Sequence, residues 1–495
     1  MSETFEKYQQ QMKLMGYYER AVTLLSWDMY TQVPRRGYED MGEALSYFST
    51  QEFSLSTSDS FFELVEKLSS SPEYENLSPN WQKIISQQKK DLEEERRIPK
   101  EFFTAFVEAK NASMMAWQEA KAASDFSMFA PHLEKMVEMT KESCAYTRPG
   151  EDVYDVLLDT YEEGMGAEEI GAVFGELKEG LLPILEELRK RPYVPTGILE
   201  KTYAPEDQKK VQDLLLRYIG FSFEAGATGE SEHPFTTSFS HRDVRVTSHF
   251  FPHDPLFAMF STIHEGGHAI FDQNVDPSLL GTPMESCRYM GIHESQSRFY
   301  ENILGRNQAF WEPIYTAVQG ILPELSSFSL EEFMREVNHV QGSLIRTAAD
   351  EVTYPLHIIL RYELEDGIFR RGIPVRDLPE LWNDGMERYL GVRPEKDSEG
   401  ILQDMHWSDG SFGYFPSYLL GSIYDGMFKE KLEEELGSID TLLREGKIHE
   451  ITKWLNQKIH FYGGLRKPKE VIAEVCGAPL SAKPLLTYFR NKYLL

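Results

Sequence analysis

The string His264-Glu265-Gly266-Gly267-His268, inside FAMFSTIHEGGHAIFDQ, sets two imidazoles four residues apart. Residues at that spacing share one face of an α-helix, so both rings can reach a single metal ion. Glu265, beside the first imidazole, can take a proton from a water on that ion without displacing it. Zinc suits neutral imidazole and polarises both water and a peptide carbonyl. The plainer alternative makes His264 and His268 hydrogen-bonded core residues and Glu265 an ordinary helix acid. Gly266 and Gly267 count against it. Each weakens a helix by about 1 kcal/mol relative to Ala, which is easier to explain if a second element must pass close by. Two imidazoles leave the ligand set one short. Cys287 is near in sequence, but an oxygen ligand better serves a catalytic site, and Glu285 and Glu294 are the downstream acids. Spacing alone does not choose between them.

Composition narrows the partners. With 51 basic against 80 acidic residues the net charge is −29, which repels nucleic-acid backbones and anionic membranes. No nucleic acid or membrane partner is expected, and cationic or small neutral substrates come first. Cys144, Cys287 and Cys476 form no CxxC pair, against a disulfide scaffold or a thiolate zinc site. The start, MSETFEKYQQQMKLM, is polar, and no stretch approaches the roughly 20 apolar residues of a membrane span. A cytoplasmic address is the expectation.

Along the chain, residues 5–26 read as a helix ending before WDMYTQVPRRG, where Pro34 and Gly37 interrupt it. A second helix is expected over 79–95, with its charge run QKKDLEEERR facing water. A turn-rich break at 147–152 precedes a helical region through residue 191. Residues 233–250 change to alternating Thr, Val and Phe with polar residues, the pattern of short strands. Helical signals return near Pro255 and dominate to the end. With no repeat and no long linker, residues 1–495 read as one intertwined, mainly α body. Residues 1–150 form its N-terminal helical part and 151–495 its metal-binding, groove-forming part.

Beyond HEGGH, separated strings mark a wider resemblance: WDMYTQVP at 27–34, HPF at 233–235, DVRVT at 243–247, HESQ at 293–296, IRTAAD at 345–350 and GILQDMHW at 400–407. Together they resemble the thermostable-type metallocarboxypeptidases, peptidase family M32, over almost the whole chain. The resemblance implies a mainly helical, saddle-like subunit with a deep groove and a small β element near the site, assembled as a homodimer. It implies His264, His268 and Glu294 as metal ligands, so choosing Glu294 over Glu285, with Glu265 as general base and acid. One divalent ion per subunit is expected, zinc first and cobalt as the alternative. Asp272 and His293 are candidates to hydrogen-bond the ligating groups.

A peptide's terminal carboxylate needs local cationic donors in so acidic a chain. Arg346, at the start of RTAADEVTYPLHIILRYELE, is the favoured clamp, with Arg245 of DVRVT and His233 of HPF as further substrate-binding candidates. That segment reads as largely helical, and the Arg346/Asp350 and Arg361/Glu365 spacings also suit plain helix ion pairs. His406 could donate to the scissile carbonyl or the substrate backbone. Tyr414 and Tyr418, four apart, could place a phenol where the oxyanion develops, and the likeness to the wider helical HExxH-plus-Glu peptidases points to Tyr418. Gln403 and Asp404 read as loop-shaping residues. FYGGLRKPK reads as a turn before a terminal helix, lacking a phosphate-binding loop pattern. The expected reaction is hydrolysis of the last peptide bond, releasing single amino acids from peptides with a free C-terminus. Broad side-chain tolerance and poor handling of terminal proline are what the resemblance implies. The rivals are an oligopeptidase or dipeptidyl carboxypeptidase with the same chemistry, and a non-enzymatic helical metal-binding protein.

Overall fold

Where prolines and caps fall decides where the helices start and stop. The computed structural model describes residues 3–495; Met1 and Ser2, the first residues of the polar start, lie outside the described residues. Helix α1, Glu3–Thr31, runs past the expected end at residue 26, because only Pro34 and its preceding residue disfavour helical backbone. Helix α2, Tyr38–Ser56, packs along α1 and buries no residue. Helix α3, Asp59–Ser69, is capped by Ser58, whose hydroxyl accepts from Phe61 N. Helix α4, Pro79–Glu95, matches its expected bounds, with Ser78 as cap and Pro at its first turn.

The charge run on α4 departs from its expected solvated role. Lys90 pairs with Glu163 at 2.8 Å, Arg288 with Asp91 at 2.9 Å, and Arg148 with Glu94 at 3.1 Å. Its charges therefore tie neighbouring elements together. Helices α5, Lys100–Ala123, and α6, Phe126–Thr147, pack on each other. The expected helical region up to residue 191 divides into α7, Val153–Tyr161, and α8, Ala167–Arg189. Between them lies Glu162-Glu163-Gly164-Met165-Gly166. Helix α9, Pro205–Ile219, leads into the sheet.

The sheet has three strands, β1 Gly226–Glu230, β2 Thr236–Ser240 and β3 Asp243–Ser248, in the order β1-β3-β2. β1 pairs parallel and β2 antiparallel with β3. The last two fall where strands are expected. β1, GATGE, was not signalled, since it offers no alternation of apolar and polar residues. Val244 and Val246 of β3 are fully buried, and the sheet lies on α10, Pro255–Gln273. Helix α11, Met290–Arg298, continues directly into a π-helical segment, Phe299–Gly305. Residue 346 does not open a long helix: Arg346–Ala348 is a short 3-10 turn, and the helix Tyr354–Phe369 begins later. The helix Phe415–Leu436 packs along α11. FYGGLRKPK turns into the helix Pro468–Cys476 as expected.

Most buried side chains form one large core. A smaller one, built from Phe5, Tyr8, Phe61, Val65, Ile85 and others, joins α1, α3 and α4. Adjacent residues on α4 serve both: Ile84 packs into the large core and Ile85 into the small one. Among the described residues no helix is long and apolar enough to cross a membrane.

Candidate active site

The two glycines of HEGGH are where neighbouring helices touch α10. A Cβ on Gly267 would sit 2.6 Å from Gln296 O and 2.7 Å from Ser297 Cα of α11, and one on Gly266 would meet Ile219 Cδ1 of α9 at 2.5 Å. The close approach suggested by the sequence therefore comes from two sides. It brings Glu294 of α11 to the imidazoles, with Oε2 at 3.6 Å from His268 Nε2 and 4.0 Å from His264 Nε2. One ligand atom from each of the three lies within 4.8 Å of the others. Glu285 is elsewhere, accepting from Gly281 N at 2.8 Å and facing His241 at 3.9 Å.

The far sides of these groups are held differently. His264 Nδ1 lies 2.8 Å from Glu301 Oε2. His268 Nδ1 is buried without a hydrogen-bond partner among the described residues, and its ring stacks on His293 at 4.4 Å. Asp272 and His293 bond each other at 3.1 Å. They do not hydrogen-bond the ligating groups as expected; His293 meets His268 through its ring face. Arg298 Nε donates to Glu294 Oε1 at 2.7 Å, leaving Oε2 toward the imidazoles. Burial would raise the Glu294 carboxyl, but Arg298 and the two histidines hold it well below the usual carboxylate range. Burial disfavours charge on His264, yet Glu301 and Glu294 push its pKa up to about 9; His268 is pushed down by burial and by His293.

This arrangement fits a divalent cation. Two imidazole nitrogens and one carboxylate oxygen are a three-ligand catalytic donor set rather than a closed structural one. The carboxylates of Glu265, Glu294 and Glu301 leave a surplus of negative charge that pulls on the His264 imidazole. Glu265 is buried on α10, and the Thr236 hydroxyl of β2 lies 2.7 Å from its Oε2.

A second polar cluster forms beside the first. His406 Nε2 lies 3.2 Å from Tyr418 OH, and the Tyr414 and Tyr418 rings meet at 5.0 Å. Asp404 Oδ1 accepts from Arg346 Nε at 3.1 Å and Nη2 at 2.9 Å, while Oδ2 accepts from Arg361 Nε at 2.7 Å. Arg346 Nη1 donates to Tyr354 OH at 2.9 Å, and the guanidinium lies 5.0 Å from the Tyr418 ring centre. Three of its five N–H groups are thus engaged, leaving two. The Arg346/Asp350 and Arg361/Glu365 pairs do not form. Asp350 accepts from Val352 N and Thr353 N, and Glu365 accepts from Trp407, Tyr154 and Gly413. Gln403 and Asp404 do shape this region, Gln403 Oε1 accepting from Arg346 N at 2.9 Å.

Burial and the nearby arginines push His406 down to about 4 against the pull of Asp404, so its imidazole stays neutral. Tyr414 is pushed up to about 12 by burial and by Glu294, and burial raises Tyr418 well above its ordinary value, so both remain phenols. The two clusters meet through the Phe415–Leu436 helix. A Cβ on Gly421, three residues after Tyr418, would lie 3.0 Å from Ser295 N and 3.2 Å from Glu294 Cβ.

Arg245 and His233 are placed apart. Arg245 pairs with Asp243 at 2.8 Å and lies over Phe239 and Trp27, toward α1. His233 is exposed in the loop before β2. Arg298, Glu301, Thr236 and Tyr354 were not anticipated. Arg298 stands at i+4 from Glu294, a readable helical spacing; Thr236 carries no comparable signal.

The family model described as carboxypeptidase Taq (M32) metallopeptidase matches residues 7–493. The chain is 41% identical to carboxypeptidase 1 of Bacillus subtilis (strain 168), covering 99% of this chain and 98% of that protein. It is 36% identical to thermostable carboxypeptidase 1 of Pyrococcus furiosus, covering 96% and 95%. Among solved structures, an M32 carboxypeptidase from Deinococcus radiodurans R1 superposes with a TM-score of 0.96 at 33% identity, covering 99% of each chain.

Proposed function

The chain belongs to the carboxypeptidase Taq (M32) metallopeptidase family, a metal-dependent carboxypeptidase, and from that premise we propose how its residues divide the work. The carrying observation is the convergence of His264, His268 and Glu294 beside Glu265. These three hold the divalent ion, and zinc is the metal the donor set favours, with cobalt as a substitute. When bound, such an ion acidifies a water and polarises the scissile carbonyl. Glu265 takes the proton of the attacking water and returns it to the departing amine. The Thr236 hydroxyl occupies one carboxylate oxygen and leaves the other for that transfer.

Tyr418, kept protonated, donates to the developing oxyanion, with neutral His406 fixing its hydroxyl. Arg346, with two free N–H groups and rigid support from Asp404 and Tyr354, receives the terminal carboxylate. Tyr414 walls the same end of the site. Arg245 and His233, toward α1 and solvent, would act only on more distant substrate residues. Peptides with a free C-terminus are the partners, without nucleic acid or membrane, as the charge of −29 favours. A cytoplasmic homodimer completes the reading.

The test compares unblocked, N-terminally blocked and C-terminally amidated peptides. Single amino acids released from the first two, with the amidated peptide untouched, are expected. Internal fragments or dipeptides would point instead to an oligopeptidase or dipeptidyl carboxypeptidase. Light scattering on the purified protein checks the dimer.

A further inference from the structure

Resting on the reading of His264 as a metal ligand, we propose that Glu301 is a positioning residue that fixes the His264 ring for the ion. One continuous helical stretch supplies both a ligand and this support: α11 carries Glu294, and its π-helical extension Phe299–Gly305 carries Glu301. The contacts along the two helices run in opposite order. On α10 they pass from His268 through Gly267 to His264. On the other stretch they pass from Glu294 through Gln296 and Ser297 to Glu301. Moving forward from the ligand carboxylate thus arrives at the imidazole one turn earlier on α10.

A carboxylate only accepts hydrogen bonds, so Glu301 Oε2, 2.8 Å from Nδ1, makes that nitrogen the donor. In the neutral imidazole that an ion requires, the lone pair is then on Nε2, the nitrogen turned toward Glu294. Glu301 is itself anchored. Arg306 reaches its Oε1 at 3.4 Å while donating to Val337 O at 2.7 Å and to Asn302 Oδ1 at 3.1 Å. The backbone repeats the link, Arg306 N donating to Glu301 O at 3.0 Å in the i→i+5 manner of a π turn. The last helix, Lys483–Tyr493, braces the segment through Tyr488 OH, which donates to Asn302 O at 3.0 Å. His268 has no such acceptor among the described residues and is held by ring stacking. The two ligand imidazoles are therefore oriented by different means, and only one depends on Glu301.

The experiment measures Zn2+ affinity of the full-length apoprotein by competition with a chromogenic chelator. The variants are Glu301→Gln, Glu301→Ala, Asp272→Asn and His264→Ala, with thermal midpoints of the apo forms recorded alongside. Loss of a carboxylate behind a ligand histidine costs about 10–100-fold in metal affinity. Glu301→Ala is expected near the upper end and the isosteric Glu301→Gln near about 10-fold, with Asp272→Asn close to the unmodified protein. A general loss of order would instead weaken Asp272→Asn equally and overturn the assignment. So would Glu301→Gln binding zinc within about twofold of the unmodified protein while His264→Ala loses it. If His264→Ala itself binds zinc undiminished, the ligand reading fails first, and the role of Glu301 with it.

Discussion

The metal cluster and the arginine–tyrosine cluster adjoin each other but are built in opposite ways. His264, Glu265, His268, Glu294 and Glu301 come from two stretches of chain, α10 and the α11–π-helix run, packed through Gly267. Arg346, Tyr354, Arg361, Asp404, His406 and Tyr418 come from a 3-10 turn, a helix, a loop and a second helix. The first cluster sets the carboxylates of Glu265, Glu294 and Glu301 against the Arg298 and Arg306 guanidinium groups, which leaves one negative charge in excess when the imidazoles are neutral. The second buries two guanidinium groups on one carboxylate, a surplus positive charge suited to an anion. A single acidic chain thereby places opposite fields side by side, one suited to a cation and one to an anionic group.

The sharpest way to separate the two is Glu265→Gln. It should lower kcat by about 10³-fold, since general acid–base groups contribute of that order, with unfolding midpoint and bound metal unchanged. Steady-state kinetics beside metal analysis and calorimetry check this; largely retained activity would remove Glu265 from the reaction. Asp404→Asn should act the other way. It leaves Arg346 and Arg361 buried without a counter-charge, a loss of about 3–5 kcal/mol in stability. Denaturant unfolding measures it, and a variant as stable as the unmodified protein would show that the two arginines do not depend on this carboxylate.

The same contrast explains what the sequence discloses. His264, Glu265 and His268 are legible because helical spacing is local. Glu294 against Glu285 is not, because the choice depends on how the chain returns to α10, and the family resemblance made it. The second cluster is misread for a definite reason. Pairing Arg346 with Asp350 assumes a helix running through residue 346, whereas Arg361 and Glu365 do share the helix Tyr354–Phe369 and miss each other because Glu365 accepts from Trp407, Tyr154 and Gly413. Asp350 instead accepts from Val352 N and Thr353 N, and Pro355 sits in the first turn of the helix, which begins at Tyr354. Both arginines then turn to Asp404, more than forty residues away in sequence, a contact that no periodicity encodes.

Tyr418→Phe probes the seam between the clusters. Removing one oxyanion donor costs about 10²-fold in kcat, and KM should change little because the ring and its packing on Tyr414 remain. An equal loss in KM alone would make Tyr418 a binding residue rather than a donor to the transition state.

The smallest expected effect concerns a buried carboxyl beside each cluster. Glu162 accepts from Gly291 N, at the start of α11, and from Ser417 and Tyr424. Glu365 accepts from Trp407, Tyr154 and Gly413 behind Asp404. Burial outweighs these donors and pushes each carboxyl up to about 7 from the ordinary 4.5. A carboxyl raised on folding contributes stability that is complete below its unfolded value and is lost as pH climbs through its folded value. Each therefore makes the protein less stable between about pH 4.5 and 7. Asp404, held well below its ordinary value by Arg361 and Arg346 despite burial, contributes in the opposite sense, its stabilisation fading only in stronger acid. Unfolding midpoints across this range therefore carry opposed contributions, since His406, depressed to about 4, adds stability as pH rises over the same interval. Glu365→Gln, which keeps an acceptor but cannot ionise, should remove one declining contribution and tilt the profile toward greater stability at neutrality. A slope unchanged in Glu365→Gln and in Glu162→Gln would mean that both carboxylates are already ionised at the acid end, their donors outweighing burial.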